Sequence, residues 1–279
     1  MKTYEEKCRL LHEIMDGYTR EDVAVAFSGG ADSALLLKLA VLHGREQGIQ
    51  VYAMTASTEL HPLGDIAVAE QVAREAGAKH RILYAKELEE AGISNNPVDR
   101  CYRCKSYLFQ SIIKEAERLG AGLVLEGTNA DDLLAYRPGL KAIRQLGVKS
   151  PLLEAGFTKK EVRSLAGEYG ISVADRPSAP CLATRFPYGT PLTLEGLRQV
   201  EKGEEVLRTL GLYNVRLRVH GDIARIEVDP AYMGHLLEHR EKLAAKLKAL
   251  GFAYITVDLE GFRSGSMDKT VFTAAESRK

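Results

Sequence analysis

A chain of 279 residues, 45% hydrophobic and 27% charged, has the make-up of a soluble globular protein with one large domain or two ordinary ones. Lysine plus arginine balances aspartate plus glutamate at 38 each, and the resulting zero net charge argues against nucleic acid as a partner for the whole surface, leaving at most a local basic groove. No apolar run approaches membrane-spanning length, and the opening MKTYEEKCRLLHEIM has the pattern of an amphipathic helix rather than a signal peptide, so a cytoplasmic protein with no membrane partner is expected.

An apolar run, Val23–Phe27, empties into Ser28-Gly29-Gly30-Ala31-Asp32-Ser33, and a helix-forming run, Ala34–Glu46, follows. A strand, a glycine-rich turn and a helix start bring backbone N–H groups together on an anion. Gly29 and Gly30 tolerate positive φ and let a phosphate approach, Ser28 and Ser33 add hydroxyl donors, and Asp32 offers a carboxylate to Mg²⁺. The hexad is neither G-x-x-x-x-G-K-[ST] nor G-x-G-x-x-G. It resembles the SGGxDS loop of the ATP pyrophosphatases, enzymes that adenylate a substrate and expel pyrophosphate.

Further strand-like runs at Val51–Ala56, His80–Tyr84 and Leu123–Glu126 alternate with helical patterns at Ile66–Ala76 and Lys105–Leu119. That alternation predicts an α/β fold, a doubly wound parallel sheet with ligands at the carboxyl ends of its strands. Leu123–Asp132, LVLEGTNADD, delivers Gly127, Thr128, Asn129, Asp131 and Asp132 to the same rim, and resembles the GTN-x-x-D segment of pyrophosphate-loop enzymes. Thr158 with Glu161 is a capping box. It places Lys159 and Arg163 at a helix start, where cations oppose the dipole. For either one singly a solvated helix face is the preferred account.

From about Pro187 the character changes. Leu194–Leu210 is helical, Val215–His220 and Ile223–Val228 form a hairpin through His220-Gly221-Asp222, His235–Leu250 is one helix and Ala253–Leu259 a strand. The expected organisation is a nucleotide-binding domain over 1–186 and a small αββαβ module for substrate binding or oligomerisation over 187–279.

Four cysteines without an export signal point to metal or redox chemistry rather than structural disulfides. Cys8 shares an apolar helix face with Leu11 and Met15 and belongs to packing. Cys101 and Cys104 form C-x-x-C at the mouth of a helix, and Cys181 follows Pro177 and Pro180 between Arg176 and Arg185. Guanidinium neighbours and a helix N-terminus favour thiolate. A structural zinc would need a fourth ligand, and no histidine stands at zinc spacing. A redox C-x-x-C with Cys181 as bystander is a second reading. A [4Fe-4S] cluster on three thiolates, with one iron open to sulfide or substrate, is the preferred third.

SGGADS, NNPVDRCYRCK, EGTNADD, SPLLEAGFTKKEVR and PSAPCLATRFPYG, in that order, resemble the LarE family over roughly Phe27–Gly189. The family's adenine nucleotide alpha hydrolase-like fold is implied with it. The family comprises ATP-dependent sulfur transferases of nickel-pincer nucleotide biosynthesis, which mature lactate racemase. The resemblance implies ATP with Mg²⁺, pyridinium-3,5-biscarboxylic acid mononucleotide as substrate, adenylation of its carboxylates and their conversion to thiocarboxylates. In part of the family the counterpart of Cys181 is sacrificial and becomes dehydroalanine. Another branch holds a [4Fe-4S] cluster on three cysteines, and Cys101, Cys104 and Cys181 match it. By the same resemblance Asp32 and Cys181 are catalytic, Ala26, Phe27 and Met54 line the adenine site with Thr55 and Ala56 nearby, and Arg216 and Arg218 take the substrate phosphate with Arg185. The family tends to homo-oligomers. The rival functions are tRNA thiolation, an ammonia-delivering synthetase, which has no need of three cysteines, and a non-catalytic AMP-binding or iron–sulfur scaffold.

Overall fold

The computed structural model describes residues 2–62, 64–134, 137–177, 180–212, 214–263 and 266–267. Ser178 and Ala179 of the proline-rich cysteine motif, and the polar tail from residue 268, lie outside the described residues. The chain divides into two compact units, Met1–Ala91 with Asp99–Ala179, and Gly92–Val98 with Pro180–Lys279. The second unit thus begins ahead of Pro187, and it takes in a short segment from the first half of the chain. Asn96, fully buried, donates from Nδ2 to Phe186 O (3.2 Å) and Pro187 O (2.7 Å), and its own carbonyl accepts from Gly189 N (2.9 Å).

In the first unit β1 (Val23–Ala26), β2 (Val51–Thr58), β3 (Lys79–Ala85) and β4 (Leu123–Leu125) form one parallel sheet in the order β3-β2-β1-β4. Side chains alternate across a strand, so each strand feeds two cores. Val23 and Val25 join one cluster with the Ala31–Gln47 and Asp65–Ala76 helices and with Leu11 and Met15 of the Tyr4–Tyr18 helix. Ala24 joins the other with Tyr52, Met54, Val124 and the Phe109, Ile112, Ala116 stripe of the Arg100–Arg118 helix. Helices on both faces are what the doubly wound class requires. The helix after β1 starts three residues earlier than its apolar run, at Ala31, so Asp32 and Ser33 lie in its first turn.

The second unit builds a sheet of β5 (Val215–His220), β6 (Ile223–Val228) and β7 (Tyr254–Val257), antiparallel between β5 and β6 and parallel between β6 and β7. Val215, Leu217 and Val219 are buried on one face of β5, together with Leu197, Val200 and Leu207 of the Leu194–Arg208 helix. The helix expected over His235–Leu250 is broken. Met233–Glu238 and Arg240–Ala249 meet at His239, whose φ −99°, ψ 10° leaves the helical region.

Phe157 is fully buried and meets Tyr4 edge-on, ring centroids 6.2 Å apart. Phe157→Ala should lower unfolding free energy by about 3–5 kcal/mol in denaturant titration. Leu194→Ala, at a half-exposed position, should stay within about 0.5 kcal/mol.

Candidate active site

β1 ends at Ala26, and Phe27 N–H still donates to Met54 O (2.8 Å), so the loop leaves the sheet only at Ser28. Gly29 has φ +72°, and a Cβ there would stand 3.1 Å from Ala69 Cα. Gly30 caps the helix without any side-chain hydrogen bond, which leaves the first-turn N–H groups for a ligand. The serine hydroxyls of Ser28 and Ser33 lie 3.2 Å apart, and Ser33 also donates to Gly30 O (3.1 Å). The turn is therefore pinned from inside by short polar side chains. Beside it Thr55 Oγ1 donates to Phe27 O (2.8 Å), and His80 Nε2 contacts the same hydroxyl at 2.8 Å. Burial holds the His80 imidazole below its ordinary value.

β4 delivers the second half of the rim. Glu126, buried, accepts from Thr128 N (3.0 Å) and Thr128 Oγ1 (2.7 Å) and is bonded to the Ser150 hydroxyl. Gly127 passes so close to the loop that an added Cβ would meet Ser33 N at 3.0 Å and the Asp32 carbonyl carbon at 3.1 Å. Asn129 donates from Nδ2 to Asp32 Oδ1 (3.1 Å) and caps its own short helical turn through Asp131 N. Asp131 accepts the N–H of Lys159 (2.9 Å), at the start of the Lys159–Glu168 helix. The capping box of Thr158 and Glu161 forms as its sequence predicts.

Lys159 is not on a solvated face. Its Nζ is ion-paired with Asp32, and both side chains are partly covered. Arg163, one turn on, points inward too: its Nη2 donates to Arg176 O (3.5 Å), and its buried Nε has no partner among the described residues. Arg176 donates to Gly29 O (3.4 Å) and pairs with Asp65 (2.8 Å). The loop is thus flanked by Lys159 and Arg176, with Arg163 behind Arg176. The helix-start position of Lys159 and Arg163 was visible in the sequence, but their direction depends on how the helix packs.

Cys101 lies in the first turn of the Arg100–Arg118 helix, where Arg100 Nη2 stands 3.9 Å from its sulfur, and Cys104 one turn on; both are half-buried, and both belong to the first unit. Cys181, also half-buried, belongs to the second, immediately before the short turn Leu182–Arg185.

In the second unit Arg185 is buried. It donates from Nε and Nη2 to Glu204 (2.7 and 3.0 Å), and from Nη1 to Pro180 O (3.1 Å), Cys181 O (3.3 Å) and Thr184 Oγ1 (2.8 Å). Its fork is therefore spent on the backbone around Cys181. Arg218 is held by Glu227 (2.8 Å), Thr184 O (2.7 Å) and Ser266 (3.0 Å). Arg216 differs: it lies over the Phe262 ring at 5.0 Å and has no ion-pair partner among the described residues. Burial first, and then the charges of Arg185, Arg218 and Arg208 against the opposing pull of Glu204, draw its guanidinium down to about 10. Glu204, which the sequence reading did not single out, joins Arg185, Arg208 and the Leu217 N–H. Burial alone would raise its carboxyl, but the Arg185 hydrogen bonds and the surrounding arginine charges outweigh it and hold the group below its ordinary 4.5.

A parallel sheet, a glycine loop at the end of β1 and a rim supplied by β4 define a pyrophosphate-loop adenylating enzyme, and the sequence model of the asparagine synthase family matches residues 10–246. Pyridinium-3,5-bisthiocarboxylic acid mononucleotide synthase of Lactiplantibacillus plantarum is 40% identical over 90% of this chain and 91% of its own. An uncharacterised Synechocystis protein is 36% identical over 88% and 92%. A tRNA-specific 2-thiouridylase of Rickettsia massiliae is 30% identical over 58% of this chain and 54% of its own. The chain belongs to the LarE family and is an ATP-dependent sulfur transferase.

Gly127→Ala should lower the melting temperature by the equivalent of about 1–3 kcal/mol, because its Cβ meets backbone that cannot yield. The Glu204 pair has a defined pH signature. A carboxyl lowered in the fold contributes stability above its unfolded value and loses it as pH falls through the folded one. The melting-temperature gap between the parent and Glu204→Gln should therefore narrow progressively below pH 4.5.

Proposed function

We propose that the enzyme adenylates the carboxylates of pyridinium-3,5-biscarboxylic acid mononucleotide and converts them to thiocarboxylates, with sulfur supplied from a [4Fe-4S] cluster held by Cys101, Cys104 and Cys181. The 40% identity along 90% of the chain to a protein named for making the bisthiocarboxylate carries the substrate assignment. A carboxylate is a poor electrophile. Attack of its oxygen on the α-phosphate of ATP gives an acyl adenylate and releases pyrophosphate; sulfide then adds to the acyl carbon and AMP departs with the electron pair of the broken C–O bond. Two such rounds give the bisthiocarboxylate.

The loop fits the first step. Uncapped amides at Gly30 and after, the Ser28 and Ser33 hydroxyls and Lys159 would meet the departing pyrophosphate, and Asp32 would hold Mg²⁺. Ala26, Phe27 and Met54, with Gly127, Thr128 and Asp131, complete the ATP site in this reading. The donor set suits a cluster: three half-buried thiols, one of them beside the Arg100 guanidinium. When bound, such a cluster supplies the sulfur. Among Arg185, Arg216 and Arg218, Arg216 makes the contact with the substrate phosphate, because Arg185 and Arg218 are committed to Glu204 and Glu227. Self-association through the C-terminal module is supported by the exposed Tyr254 and Leu259 on and beyond the edge strand β7. No described helix is long and apolar enough to cross a membrane, and we place the enzyme in the cytoplasm.

Anaerobically purified protein should contain iron and acid-labile sulfide, and Cys181→Ala should lose both along with thiocarboxylate formation while keeping ATP–pyrophosphate exchange. Loss of one sulfur from Cys181 per turnover, seen by mass spectrometry in iron-free active enzyme, would replace the cluster with a sacrificial cysteine. A salt-sensitive tRNA shift with thiolation of the RNA would overturn the substrate. Arg216→Ala should raise KM for the mononucleotide about 10- to 100-fold, the worth of one charged hydrogen bond, and leave KM for ATP within about twofold.

A further inference from the structure

We propose that His235, Glu238 and His239 form a binding site for a divalent transition-metal ion on the second unit, separate from the thiols. Each residue offers one ligand atom, and the three atoms lie within 4.8 Å of one another. The spacing is i, i+3 and i+4, which sets all three on one side of a helical turn. They stand where the expected helix breaks: Met233–Glu238 ends and His239 joins it to Arg240–Ala249.

The hydrogen bonds fix which nitrogens are available. His235 Nε2 contacts Leu210 O at 3.1 Å, and His239 Nδ1 contacts His235 O at 3.0 Å. A carbonyl only accepts, so each of these nitrogens donates, and in the neutral ring the lone pair is left on the other nitrogen. That is how metal-ligating imidazoles are held: the outer nitrogen donates to a carbonyl, and the inner one faces the ion. His235 Nδ1 lies 3.6 Å from Glu238 Oε2, too long for a hydrogen bond. It is near the separation of two ligands that share one ion at about 2.0–2.1 Å each. The rings pack edge to face with centroids 4.7 Å apart. The neighbouring cation, Arg240, is turned toward Glu241 at 3.5 Å and does not compete for Glu238.

The only other histidine–carboxylate grouping among the described residues, Asp16, His43 and Glu46, lacks this arrangement. His43 has both nitrogens engaged, Nδ1 with Asp16 at 2.5 Å and Nε2 with His12 at 2.8 Å. At 235–239 two imidazoles and one carboxylate suit Zn²⁺, Ni²⁺, Co²⁺ or Cu²⁺ and not Mg²⁺ or Ca²⁺, and three protein ligands leave a position for water or a fourth group.

The test uses full-length protein carrying Cys101→Ser, Cys104→Ser and Cys181→Ser, so that thiolates do not compete, titrated with Co²⁺ and Zn²⁺. One ion per chain should bind, giving cobalt visible absorption without sulfur charge transfer and a metal-dependent rise in melting temperature. His235→Ala and His239→Ala should each weaken binding at least about 10-fold, with Glu238→Gln losing less, and His43→Ala should leave it unchanged. Equal uptake by the His235→Ala/His239→Ala double variant would overturn the site, as would loss of binding in His43→Ala alone. Should either histidine variant melt early without metal, Glu238→Gln decides: an unchanged affinity and an unchanged cobalt spectrum would sink the proposal.

Discussion

The nucleotide end of the molecule depends on β1 lying next to β4 in the sheet. Strand order β3-β2-β1-β4 brings the loop after β1 and the turn after β4 to one rim, and the contact between them is backbone against backbone. Gly127 has no side chain, and the space a methyl group would fill is taken by Asp32 and Ser33. Asn129 can reach the Asp32 carboxylate only because of that approach. The Lys159 ammonium arrives from a helix whose start is fixed by Asp131. One close passage of two segments of the chain therefore assembles a carboxylate, an amide, a cation and a row of open N–H groups at one place.

The second unit solves a different electrostatic problem. Glu204 and Glu227 are buried, and a buried carboxylate is tolerable only when paired and hydrogen-bonded. Arg185 and Arg208 satisfy the first, Arg218 and Arg225 the second. Arginines thus outnumber the acids around β5, and the surplus falls on Arg216, the guanidinium most depressed by burial and like charge. That surplus is why Arg216, alone of these arginines, has no ion-pair partner among the described residues.

Much of this was legible in the amino-acid order. The hexad, the four strands of the first sheet, the hairpin and the capping box at Thr158 all follow from local chemistry: glycine at a turn, alternation along a strand, a hydroxyl three residues before a carboxylate. The Cys101–Cys104 pair was legible as lying at the mouth of a helix, although that helix begins at Arg100, ahead of both, rather than at Lys105. What escaped is what depends on partners remote in the chain. Lys159 looks like any charged residue at a helix start until the helix docks against the loop. Glu204 looks like one of several acids in a polar helix, and only β5 and the turn at Leu182–Arg185 show it to be interior. The break at His239 was hidden because the residues on both sides have good helical pattern. Residues 92–98 join the second unit through the buried amide of Asn96, a tie no periodicity could announce.

Arg185 has a consequence for how Cys181 is to be thought of. The guanidinium grips the main-chain oxygens of Pro180 and Cys181, and Glu204 anchors that grip to a helix. The station of residue 181 is thus set from its main chain and from an ion pair buried behind it, much as a jig sets a workpiece, so that a change at Arg185 or Glu204 would shift the thiol without touching it.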